Sequence, residues 1–119
     1  MAKSMLIVTR QAPWAGPSAR EALDLALAGG AFDLPLAMLF LDDGVFQLQA
    51  GQRPASLEQK DLGANLKALP LFGVDECYAC AHSLAARGLA AEALAVPAEP
   101  LDAQAIAALF NRFDQVITL

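Results

Sequence analysis

The chain is poor in the side chains that usually carry chemistry. Its 119 residues include two cysteines, one histidine, one tryptophan and one tyrosine. Two thiols and one imidazole give three soft ligands at most, too few to close a tetrahedral zinc site. Long apolar runs are missing as well. The longest, Leu34 to Leu41, has eight residues and contains Pro35, whereas a membrane-spanning helix needs about 20. After Met1-Ala2-Lys3-Ser4 the chain enters a strand-like run with no long apolar segment or cleavage site. This predicts a cytoplasmic protein whose cysteines rest reduced. Positive charge is scarce: eight Lys and Arg stand against thirteen Asp and Glu, for a net charge of −5. No two basic residues are adjacent. Phosphate backbones are gripped by concentrated positive charge, so direct nucleic-acid binding is disfavoured and any role near RNA is indirect. No G-x-G-x-x-G or P-loop is present, and Gly29-Gly30 reads as a helix stop rather than a phosphate cradle.

Apolar residues, by contrast, are abundant. They reach 56% before glycine is counted, where an average soluble domain reaches roughly 45–50% with glycine included. Many are alanines, which tolerate exposure. The remaining surplus points to faces buried by other subunits. The length fits one domain spanning residues 1–119.

The pattern along the chain alternates between strand and helix signals. Lys3 to Thr9 reads as a buried strand, followed by a loop with Arg10, Pro13, Trp14 and Gly16. Ser18-Ala19-Arg20-Glu21 has the form of a capping box. The helix it opens carries Ala19, Ala22, Leu23, Ala26 and Leu27 on one stripe and ends at Gly29-Gly30. Leu34 to Leu41 is a strand of the kind covered on both faces in a parallel sheet. It stops at Asp42-Asp43-Gly44, and Val45 to Leu48 adds a short helical turn. Ser56-Leu57-Glu58-Gln59 is a second capping box, opening a helix with Leu62, Leu66 and Leu69 on its apolar face and Pro70 at its close. A third strand is predicted over about Val74 to Tyr78, a helix over Ala81 to Arg87 ended by Gly88, and a weak fourth strand around Ala93 to Val96. Asp102 caps a last helix with Ile106, Leu109, Phe110 and Phe113 on its core face. Gln115 to Leu119 closes the pattern as a strand. Right-handed crossovers then give a three-layer α/β domain: a mostly parallel five-stranded sheet with helices on both faces. Ligands of such sheets gather at the C-terminal edge, where Arg10–Gly16, Asp42–Gly44 and Cys77–His82 emerge together.

Both cysteines and the histidine fall within six residues, Cys77-Tyr78-Ala79-Cys80-Ala81-His82. The C-x-x-C spacing allows a thiol-disulfide oxidoreductase using Cys77 and Cys80. Against this, Cys77 sits within a strand and Cys80 at a helix start, so their sulfurs need not be in bonding range. Cys77 reads better as a small core hydrophobe. Cys80 stands where orphan backbone N–H groups favour a thiolate. His82, two residues on, cannot face Cys80 on a helix and reads as a surface or interface residue rather than a catalytic base. Asp42 and Asp43 point apart on an extended segment and read as turn and cap residues rather than as an acid/base pair. Arg10 and Trp14 could line a pocket mouth or a protein interface.

Taken together, Phe40-Leu41-Asp42-Asp43-Gly44-Val45-Phe46-Gln47-Leu48, Gly51-Gln52-Arg53-Pro54, Cys77-Tyr78-Ala79-Cys80-Ala81-His82-Ser83-Leu84 with Arg87-Gly88-Leu89, and the close Phe113-Asp114-Gln115-Val116-Ile117 resemble the DsrE/DsrF-like sulfur-relay family nearly end to end. The resemblance implies a cytoplasmic subunit that assembles with homologous TusB-like and TusD-like partners into a heterohexamer of two trimers. It implies no cofactor. The complex would take persulfide sulfur from a TusA-like carrier and pass it, through a TusE-like carrier, towards 2-thiolation of tRNA wobble uridine. In the family the sulfur-carrying cysteine belongs to the TusD-like subunit, in a strand-to-helix context like that of Cys80, eight residues before Gly88. The present chain is then an auxiliary or structural subunit, with an active persulfide carrier through Cys80 as the alternative. At most it is a sulfurtransferase-type carrier within a complex. Related DsrF proteins serve sulfur oxidation, which keeps that pathway open. A carrier needs its second thiol out of reach, because that thiol would attack the persulfide and release sulfide. No Cys77–Cys80 bond is expected.

Overall fold

Apolar alternation along the strands sorts the core into two layers. The computed structural model describes residues 3–49 and 64–119, so the second capping box at Ser56 to Gln59 and the Gly51 to Pro54 segment lie outside the described residues. Five strands, β1 (Met5–Thr9), β2 (Leu36–Phe40), β3 (Glu76–Cys80), β4 (Glu99–Leu101) and β5 (Gln115–Thr118), form one sheet in the order β4-β3-β2-β1-β5, every neighbouring pair parallel. The expected five-stranded parallel sheet is therefore present. Helix α1 (Ser18–Ala31) joins β1 to β2, α2 (Ala81–Ala86) follows β3, and α3 (Ala103–Arg112) joins β4 to β5.

The order explains the layering. Connections from β1 through β4 step in one direction and, being right-handed, stay on one face, while the return from β4 to β5 crosses the other. On the first face Ile7, Met38, Phe40 and Ala79 pack against Ala19, Ala22, Leu23 and Ala26 of α1, with Leu66, Leu69, Val74 and Leu84. On the second, Leu6, Val8, Ala37 and Leu39 meet Ile106 and Leu109 of α3. Every residue of β2 is buried, as expected for a central parallel strand. Among the described residues the second face is more thinly covered. Of α3, Ile106 and Leu109 are buried, Phe113 is half-buried, and Phe110 is exposed rather than part of the core.

Several local expectations change. The Ser18–Glu21 capping box does not form. Pro17 already has helical φ and ψ and its carbonyl accepts the Glu21 N–H, which draws Ser18 into the first turn with no side-chain cap. Gly29 and Gly30 do not end α1 but lie buried in its last turn. A Cβ on Gly30 would stand 2.4 Å from the Phe72 carbonyl oxygen, so close packing, not termination, requires glycine there. Strand β3 runs two residues later than the Val74–Tyr78 prediction. Strand β4 lies at Glu99–Leu101, whereas 91–93 form a 3-10 turn. Pro100 within the strand is tolerated because β4 is an edge strand and needs donors on one side only.

Candidate functional site

The loops that follow β1, β2 and β3 meet at the C-terminal edge of the sheet, as the α/β rule requires. After β2 the chain turns at Asp42, which takes a left-handed φ of 50°, a conformation that Asp tolerates better than most residues. The 3-10 turn Asp42–Leu48 follows. Gly44 in it lies against β1: a Cβ there would be 2.3 Å from the Thr9 carbonyl oxygen. Beside it Gln47, buried, donates from Nε2 to Thr9 Oγ1 and to the Gln11 carbonyl, both at 2.9 Å, while its Oε1 is buried without a partner. The Trp14 and Phe46 rings pack at 5.3 Å between centroids, joining the β1 and β2 loops at the surface.

The two aspartates point apart, as their spacing predicts, and each takes its own cation. Asp42 Oδ2 lies 2.7 Å from Arg10 and Asp43 Oδ1 2.8 Å from Arg87. Neither side chain caps the turn they begin. These exposed pairs add little stability but fix how the loops sit. Ser83, a residue that the sequence reading passed over, ties them to the cysteine run. Its buried hydroxyl accepts the Asp42 N–H at 3.0 Å, and its carbonyl accepts a bond from Arg87 at 3.3 Å. Cys80-Ala81-His82-Ser83 has the spacing of a helix cap and the N–H that it receives, but nothing in it marks the bond from Asp42 to the Ser83 hydroxyl.

Cys80 is the last residue of β3 and the N-cap of α2, and its Sγ accepts the Ser83 N–H at 3.4 Å. It is half-buried on the α3 face of the sheet, with Tyr78, Leu41 and Leu101 packed against the same cluster. Cys77 is on the other face, against the α1 cluster. Burial, reinforced by the charge of Asp75, pushes its thiol up to about 11, so at neutral pH it is a protonated, poor nucleophile. Both thiols are free. Residues three apart on a strand are separated by about 10 Å and point to opposite faces, beyond the roughly 7 Å Cα limit for a disulfide. The C-x-x-C run is thus two separate thiols, and a Cys77–Cys80 redox pair would require β3 to come apart. His82 is exposed on α2. Among the described residues no three His, Cys, Asp or Glu side chains gather as a metal site would need, and no helix is long and apolar enough to cross a membrane.

On the Cys80 face a second polar group lies at the opposite end of β3. The Tyr78 hydroxyl donates to Glu76 Oε1 at 2.6 Å, and Arg112 at the end of α3 pairs with the same oxygen. The Tyr78 hydrogen bond is the largest influence and outweighs the opposing effect of burial; with the Arg112 contacts added, it holds the Glu76 carboxyl below its ordinary value. Arg112 also lies over the Phe113 ring at 4.7 Å.

Comparison with known proteins agrees with this geometry. The chain is 67% identical over 119 residues, the full length of both, to a protein of Pseudomonas aeruginosa described as "Protein TusC homolog". Its fold is shared, at 22% identity, a TM-score of 0.78 and full coverage of both chains, by the crystal structure of the ychN protein from E. coli. The DsrE/DsrF-like family model matches residues 3–119, and the chain belongs to that family.

Proposed function

We propose that this chain is an auxiliary, structural subunit of a cytoplasmic TusBCD-like sulfur-relay complex, which passes persulfide sulfur towards 2-thiolation of tRNA wobble uridine. The end-to-end identity with a TusC homolog carries the reading. The thinly covered α3 face supports it, with Phe110 and Val116 exposed on α3 and β5, because such surface is what partner subunits bury. TusB-like and TusD-like chains are the expected partners in a heterohexamer, with TusA-like and TusE-like carriers meeting the assembly transiently.

One observation favours a second reading, in which Cys80 itself carries sulfur. Its Sγ is the acceptor of a backbone N–H at the strand end, and the other thiol is held protonated on the far face. In that step the Cys80 thiolate attacks the outer sulfur of a donor persulfide. A new Sγ–S bond forms as the donor's S–S bond breaks, and the donor cysteine leaves as a thiolate, with no net oxidation. Complementation separates the two. In cells lacking this chain, Cys80→Ser restoring full thiolation supports the auxiliary role, whereas loss of thiolation, with one sulfur found on wild-type Cys80 by mass spectrometry, establishes the carrier.

A further inference from the structure

Alternation along β3 puts Glu76, Tyr78 and Cys80 on the α3 face of the sheet, with Cys77 and Ala79 turned to the α1 face. Residues two apart on a strand stand about 7 Å from one another on their shared face, so the Tyr78 ring can lie along the strand towards either neighbour. Its hydroxyl donates to Glu76 Oε1 at 2.6 Å, which lays the ring towards the start of β3 and away from Cys80. Arg112, at the end of α3, pairs with the same carboxylate oxygen and lies over the Phe113 ring at 4.7 Å. The acceptor is thus held from two elements. At the other end of the strand Cys80 is fixed too, because its Sγ accepts the Ser83 N–H at 3.4 Å. Between two fixed neighbours, the direction of the tyrosine ring decides how much of the thiol is open.

We propose that Glu76 and Arg112 are positioning residues that park the Tyr78 ring off Cys80 and so keep the thiol open to incoming electrophiles, a persulfide donor among them. The inference deepens, and rests on, the reading in which Cys80 carries sulfur. A hydrogen bond to an ionised acceptor is among the stronger ones a phenol can make, and here it favours the parked rotamer. Without it the balance reverses. Cys80 is flanked by Leu101, its partner on β4, and by Leu41 just beyond β2, both packed against the same cluster as Tyr78. Tyr78 is half-buried as it stands, and by lying over these side chains the ring would take more apolar area out of water. Removing the bond should therefore cover the thiol, whereas removing the ring should not. A contact that merely stiffens β3 and α3 predicts otherwise, since loosening the two elements would expose Cys80 in both cases.

The test measures alkylation of Cys80 by iodoacetamide in the full chain, resolved from Cys77 by peptide mass spectrometry. The rate is followed through the thiol's titration to its alkaline plateau, so that changed access is separated from a changed thiolate fraction. Tyr78→Phe and Glu76→Val each remove the bond, the first with almost no change of shape, and each should lower the plateau rate at least about threefold. Tyr78→Ala should react as fast as wild type or faster. Plateau rates equal to or above wild type in Tyr78→Phe and Glu76→Val overturn the inference, and these two variants decide it alone should Tyr78→Ala fail to fold. A Tyr78→Ala chain slowed as much as Tyr78→Phe overturns it as well, because the ring is then not what covers the thiol. Alkylation reads access alone, so neither result touches the carrier reading. That reading falls separately, if wild-type Cys80 shows the expected pattern of access yet gains no sulfur from a persulfide donor.

Discussion

At the residue scale the two thiols differ because β3 turns them to opposite faces. Cys77 titrates at about 11 in the fold, against about 8.5 in an unfolded chain. Both states keep the proton below that lower value. As pH rises through it the unfolded chain releases the proton first, so stability falls until the folded thiol also ionises. Urea unfolding between pH 8 and 10 should show a loss of about 1–2 kcal/mol from this group. In Cys77→Ser that part of the slope disappears, and an unchanged slope would show that Cys77 is not held protonated. Gly44 is a separate case. A methyl group at 2.3 Å from the Thr9 carbonyl cannot be accommodated unless the Asp42–Leu48 turn moves off β1. Gly44→Ala should destabilise by about 2–3 kcal/mol, read from the shift in urea midpoint. The Cys80 role was partly legible in the sequence, since a cysteine between a strand pattern and a helix pattern can only be a junction residue. The Ser83 tie was not, because a buried hydroxyl accepting an N–H from 41 residues away leaves no local pattern.

At the element scale α3 is pinned at both ends. Asp102 Oδ1 accepts the Ala105 N–H at 2.8 Å, as the sequence predicts, and Asp102→Ala should cost about 1 kcal/mol by urea unfolding. At the other end Arg112 and Tyr78 meet Glu76. A carboxylate held below its ordinary value stabilises the fold above its unfolded titration, and that contribution is lost as pH falls through the folded value. Glu76→Gln should therefore flatten the acid limb of the stability profile below about pH 4.3; an unaltered limb would remove the group from the account. The same element shows why boundaries were harder to read than existence. Val74 is apolar and buried, so it looked like strand, yet pairing starts only at Glu76. The alternation of Glu76, Tyr78 and Cys80 against Cys77 and Ala79 is visible in the sequence only once the register is known. Helical spacing puts Phe110 on the apolar stripe of α3, yet of that helix only Ile106 and Leu109 are buried in the fold.

At the scale of the whole molecule, sheet order and the apolar surplus belong together. Among the described residues, four strands laid in sequence leave α3 alone over one face, and that asymmetry accounts for the exposure of Phe110 and Val116. Alternating strand and helix signals made the parallel sheet legible, whereas the strand order and the thin α3 face depend on long-range packing that no local pattern encodes. The central claim is that this surface belongs inside an assembly. Native mass spectrometry of the chain co-expressed with TusB-like and TusD-like subunits tests it most directly. The account predicts a heterohexamer containing the three chains in equal number; a chain that remains a stable monomer beside an assembled pair of the others would contradict it.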